Sequence, residues 1–101
     1  MSIEEIKKIK KNILTNIKLI GGRNLKGFEK DWAKDCITAD VDSLIRKYGY
    51  RLALSEKDEL ARQIYKALYE VEQELHVYLD TKKHKQDTKI QEVHHRITLF
   101  L

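Results

Sequence analysis

Apolar residues recur at helical spacing along most of the chain, most densely between Ser55 and Asp80. There Leu60, Ile64, Ala67, Val71, Leu75 and Tyr78 follow at steps of three and four, which lays one stripe along a helix. Ala61, Tyr65, Leu68, Glu72 and Leu79, with Tyr69 and His76 beside them, form a second stripe that flanks the first. The combined arc is wider than a surface helix normally carries, so this helix needs cover from more than one side. The pattern predicts one long central helix from 56 to about 80, opened by Ser55 as N-cap with Asp58 three residues on.

The N-terminal pattern is as regular. Ser2 and Glu5 form a capping box, Ile3, Ile6, Ile9, Ile13, Ile17 and Ile20 make one isoleucine stripe, and Gly21 stands where a left-handed C-cap belongs. The stripe suits packing against the central helix, or pairing with a second copy as a homodimer. Gly21 to Gly27, GGRNLKG, reads as a basic connector, with weak potential to hold an anion at the next helix start. A short helix over 25–36 then places Leu25, Phe28, Trp32 and Cys36 on one face, expected to dock into the core through its aromatics. Exposed, the same pair would instead mark a binding hot spot.

A further short helix follows, capped by Thr38 or Asp40, with Val41, Leu44, Ile45 and Tyr48 inward and Gly49 as its stop. Tyr50, Leu52 and Leu54 alternate with Arg51 and Ala53, which permits a minor two-stranded pairing of 50–54 with 97–101. Residues 81–87 lack an apolar side chain and read as a polar hinge. Thr88 and Gln91 offer a capping box for a last helix over 88–101, which ends in an apolar tail. The whole is expected to be a single all-α domain of four to five helices around the central one. The absence of proline and the presence of four glycines agree with a helical chain that has few breaks.

Charge adds a partition to this picture. Residues 1–34 carry nine Lys or Arg against four acids, 35–80 six against ten, and 81–101 five against two. Basic ends either fold over the acidic middle or form a surface for an anionic partner. No run approaches the roughly 18 to 20 apolar residues of a membrane span, and the early Glu4 and Glu5 do not suit a signal peptide. A single cysteine agrees with a reducing compartment, so a cytoplasmic location is expected.

Candidate chemistry is sparse, and no catalytic, metal or cofactor site is expected. His76 with Asp80, and Glu92 with His95, have ligand-like spacing, but a di-iron bundle needs two Glu-x-x-His motifs and further inward glutamates. His94 and His95 are neighbours and diverge on a helix. Cys36 shares the aromatic face, where it behaves as a small hydrophobe. Asp40 and Asp42, like Glu70, Glu72 and Glu74, read as caps and solvated face.

Residues 38–66 loosely outline a helix-turn-helix, but the second helix opens with Glu56, Lys57, Asp58 and Glu59, which phosphates would repel. A better nucleic-acid surface is Lys7, Lys8, Lys10 and Lys11 joined by Arg23, Lys26, Lys82, Lys83 and Lys85, touching phosphates without reading bases. The leading expectation is a small non-enzymatic regulator, inhibitor or adaptor that binds a protein partner through Ile97, Leu99, Phe100 and Leu101. Small size without motifs also fits a phage or mobile-element accessory protein, an association rather than a physical argument.

Overall fold

The computed structural model of the protein describes residues 2–22, 24–52 and 59–101. Four helices are formed: α1 (Ile3–Gly21), α2 (Gly27–Leu52), α3 (Glu59–Asp80) and α4 (Thr88–Phe100). The first starts where its capping box stands, with Ser2 Oγ accepting from the Glu5 N–H at 3.2 Å. Its end differs from expectation. Gly21 is still helical, and Gly22 leaves in an extended conformation at φ −84° with its N–H on the Leu19 carbonyl, so no left-handed residue is used. The expected start of the third helix at Ser55 lies outside the described residues.

The largest correction concerns α2, which is one helix of 26 residues where two short ones were expected. Thr38 does not cap a new helix. Its hydroxyl donates back to the Lys34 carbonyl at 3.0 Å, inside a helix that runs on past Gly49. Ala33, Ile37, Val41 and Leu44 are the buried set, and their spacing makes one inward stripe across the expected break. The five-helix alternative and the sole central helix fail together: the longest helix is α2, whereas α3 has 22 residues. The two-stranded pairing fails too, since 97–100 belong to α4 and 50–52 to α2, and no strand occurs among the described residues.

Cross-links give the topology. Lys10 reaches Glu70 from α1 to the middle of α3 at 3.1 Å, and Ile20 and Tyr78 share a cleft, so α1 and α3 run parallel. Lys34 pairs with Asp87, Asp42 with Arg96, and Tyr48 packs on Phe100, so α4 runs parallel to α2. The helices therefore alternate up and down. Among the described residues α2 and α3 each pack on one another and on both outer helices, while α1 and α4 do not meet. Centrality is shared by the pair. A helix of 26 residues is about 39 Å long, which sets the 42 Å long axis.

The core is aliphatic: Ile6, Ile13, Ile17 and Ile20 of α1 meet Ile37, Val41 and Leu44 of α2, Ile64, Leu68, Val71 and Leu75 of α3, and Ile90, Val93 and Ile97 of α4. Four members of the isoleucine stripe are thus spent within the chain, and Ile3 and Ile9 are half-buried. Polar pins orient α4 over it. Arg96 donates to both oxygens of Asp42 at 2.7 and 2.9 Å, and Lys89 pairs with Asp35.

Asp87, rather than Thr88, is the N-cap of α4, accepting from the Ile90 N–H at 3.2 Å. The same carboxylate accepts from the Tyr78 hydroxyl at 2.7 Å and pairs with Lys34 at 2.9 Å. Burial alone would raise the Asp87 carboxyl, but the bonds from Lys34, Tyr78 and Ile90, with the Lys34 charge, hold it below the usual range. Burial first, and then Asp87, push the Tyr78 phenol well above its ordinary value. The polar segment 81–87 folds as successive turns, with the His84 ring stacked on Tyr78 at 4.2 Å and its Nδ1 2.7 Å from Thr81 Oγ1.

Candidate interaction groove

Because Ala33, Ile37, Val41 and Leu44 face inward, helical geometry turns Phe28 and Trp32 out toward solvent. They are 72% and 69% exposed, which corrects the expectation that they dock into the core. The two residues rise above a groove of about 590 Å³ lined by Asn16 and Leu19 of α1, Leu25, and Phe28, Glu29, Trp32 and Ala33 of α2. Leu19 is itself 43% exposed, and the small, buried Ala33 forms the floor. A second hollow of about 360 Å³, lined by Asn12, Thr15, Asn16, Trp32, Cys36, Ala39 and Asp40, adjoins it through Asn16 and Trp32. Together they make a furrow along the α1–α2 seam, apolar at one end and polar at the other.

The wall is held in place locally. Glu29 Oε1 accepts from the Lys26 N–H at 3.4 Å, the reciprocal half of a capping box at the start of α2. Exposed Lys8, Lys11 and Lys18 follow one another at helical spacing on the side of α1 next to Asn12, Thr15 and Leu19, and exposed Lys26 adds a further positive charge near Leu25. Glu29 and Asp40 are the acids in the furrow, and burial raises the Asp40 carboxyl. The furrow thus carries a positive bank along α1. Such a surface can take the apolar stripe of a helix and offers two rigid aromatic anchors.

The residues singled out in the sequence are dispersed. Ile97 is fully buried in the core, Phe100 is half-buried with its ring 5.2 Å from that of Tyr48, and Leu99 and Leu101 are 74% and 38% exposed. The tail set is thus divided between interior and surface. Lys7, Lys8, Lys11 and Lys26 are exposed, Lys10 is paired with Glu70, and Arg23 lies outside the described residues. Lys82, Lys83 and Lys85 are exposed in the turn beyond Tyr78, near the end of α1 opposite its start. Twelve helical residues, roughly 18 Å, separate Lys8 from Ile20, so the lysines form two groups. His95 is exposed, Glu92 is bonded to Arg96, and Cys36 is half-buried beside Trp32.

The aromatic pair was legible only through its complement, the Ala33-Ile37-Val41-Leu44 stripe that fixes which way α2 faces. No family model matches the chain, and no curated protein or solved structure matches it either. No helix among the described residues is long and apolar enough to cross a membrane.

Proposed function

We propose that the protein is a small non-enzymatic regulator, inhibitor or adaptor of the cytoplasm that binds a protein partner in the α1–α2 furrow. One observation carries the reading: Phe28 and Trp32 stand exposed beside Leu19 over an apolar groove. Burying such side chains against a partner is worth roughly 1.5–3 kcal/mol each, and a contiguous patch of this kind is what interfaces are made from. The occupant fitted by this shape is an amphipathic helix with bulky apolar residues one turn apart. Its flank over Lys8, Lys11 and Lys18 is acidic, to complement the bank of α1. Leu99 and Leu101 supply a separate, smaller apolar contact.

The test uses the only tryptophan as reporter. A display library of amphipathic helices is selected against the full chain, and the enriched peptides are titrated while Trp32 fluorescence is followed. Enrichment of acidic-flanked helices that shift Trp32 emission and fail to bind F28A supports the reading. Peptides that bind F28A as well as wild type, or a selection without enrichment, would overturn it.

A second reading, an accessory protein that contacts nucleic-acid phosphates, is favoured by the exposure of Lys7, Lys8 and Lys11. Its test is duplex binding across a salt series. Changing Lys7, Lys8, Lys10 and Lys11 together to Gln weakens binding and flattens the salt slope if those lysines touch phosphates. An unchanged slope removes this reading.

A further inference from the structure

Sequence spacing singles out His76 with Asp80 and Glu92 with His95, yet the fold assembles a different set of ligand-type side chains. Glu72 and His76 lie one turn apart on α3, and α4, running antiparallel beside them, brings in His94. One donor atom from each of the three lies within 4.8 Å of the other two. From this convergence across two helices we infer that Glu72, His76 and His94 form a binding site for a zinc-class divalent cation that clamps α4 to α3.

The geometry is close to what such an ion requires. Donors of a tetrahedral zinc sit about 2.0–2.1 Å from the metal, hence about 3.3 Å from one another. Glu72 Oε1 and His94 Nε2 are now 2.9 Å apart, and the ring centroids of His76 and His94 are 6.0 Å apart. Small side-chain rotations therefore open one pair and close the others around an ion. The carboxylate is already oriented, because Gln73 Nε2 donates to Glu72 Oε2 at 2.7 Å and leaves Oε1 to the cluster. Two imidazoles and one carboxylate select zinc and its transition-metal neighbours over calcium or magnesium, and three protein ligands leave a fourth position for water.

A plain ion pair explains only part of the arrangement. Glu72 and His94 have side chains 15% and 20% exposed and satisfy one another, but that pair has no use for His76, whose ring faces His94 at an interplanar angle of 32°. The adjacent His95 is exposed and outside the cluster, which makes it the internal control.

The experiment takes the full chain after chelator treatment and titrates zinc by calorimetry, with cobalt as a spectroscopic probe. His76 carries the test because it is exposed and its contact is the ring of His94, whereas His94 also shares a 2.9 Å hydrogen bond with Glu72. Expected are one zinc per chain, a visible cobalt band, and a melting midpoint that rises with zinc, since the ion binds the folded state alone. H76A, which removes a ligand itself, should weaken binding by more than the roughly tenfold that loss of an outer-shell partner causes and abolish both the band and the rise, while H95A leaves all three unchanged. Zinc that binds H76A as tightly as wild type, or that leaves the wild-type midpoint where it was, overturns the assignment.

Discussion

Replacing Asp87 by alanine removes interactions made by one carboxylate to three elements. The α4 N-cap is worth about 1 kcal/mol, and the Tyr78 hydroxyl bond, being made to a charged acceptor, roughly 1.5–3 kcal/mol. Lys34, its side chain 19% exposed, loses its partner at a cost of about 1 kcal/mol or more, since the pair lies between the exposed and the buried cases. Because the three share one group they do not add fully, and a net loss of about 3 kcal/mol is expected, or a fall of roughly 12–24 °C in melting midpoint for a domain of this size. Thermal melts by circular dichroism measure it. D87N, which keeps an acceptor and a cap but not the charge, should lie between wild type and D87A. The sign of the pH effect follows from the depressed Asp87 pKa: the folded state binds this proton less tightly than the unfolded state, so the contribution is present above the ordinary carboxylate value. It is lost as pH falls from about 4 through the folded pKa, so the gap between wild type and D87N narrows there. A D87A protein that melts within about 3 °C of wild type, or a gap indifferent to acid, refutes the reasoning.

Ile37 is fully buried on the inward stripe of α2, and I37A should cost about 2–5 kcal/mol in denaturant unfolding. F28A and W32A, at exposed positions, should each change stability by about 0.5 kcal/mol or less, in contrast to the 3–5 kcal/mol expected of a core tryptophan. Deleting Ile97 to Leu101 removes a fully buried isoleucine and the Phe100 ring on Tyr48, and should lower the melting midpoint sharply, while L99S leaves it in place. A deletion variant that melts like wild type would mean that the tail does not close the core.

How much of this was legible depends on whether local signals pointed one way. The start and core face of α1 follow from Ser2, Glu5 and a stripe that uses isoleucine at every step, of which the structure buries Ile6, Ile13, Ile17 and Ile20, while the end runs one residue past the expected stop without a left-handed cap. For α2 the signals conflict. Its largest apolar side chains, Phe28 and Trp32, lie outside the core, while the inward positions include the small Ala33, so weighting by size chose the wrong face. The Thr38 and Asp40 cap residues then suggested a break, but Thr38 can bond to the preceding turn, and burial of Ile37 and Val41 carries the helix through. The cap of α4 was misplaced by one residue because the sequence does not reveal that Asp87 also meets Tyr78 and Lys34. Glu72, His76 and His94 were out of reach for a related reason: His94 joins the others only through the register of α4 on α3.

That register also separates the two proposed sites. The furrow belongs to α1 and α2, the cation cluster to α3 and α4, and among the described residues α1 and α4 have no contact. Coupling can pass through the α2–α3, α1–α3 and α2–α4 contacts, whose buried members among the described residues are close-packed and aliphatic apart from Tyr78, its hydroxyl held by Asp87. A ligand shifts a distant site only by favouring one of two states, and a close-packed apolar core resists a second arrangement. Zinc should therefore raise the melting midpoint while leaving the affinity of a furrow-binding helix within about twofold, far from the 5–150-fold of typical allosteric coupling. Titrating the peptide with and without zinc decides it. A change of tenfold or more would require α4 to move α2 as a unit, and would make the cation a regulator of partner binding instead of a clamp on one helix.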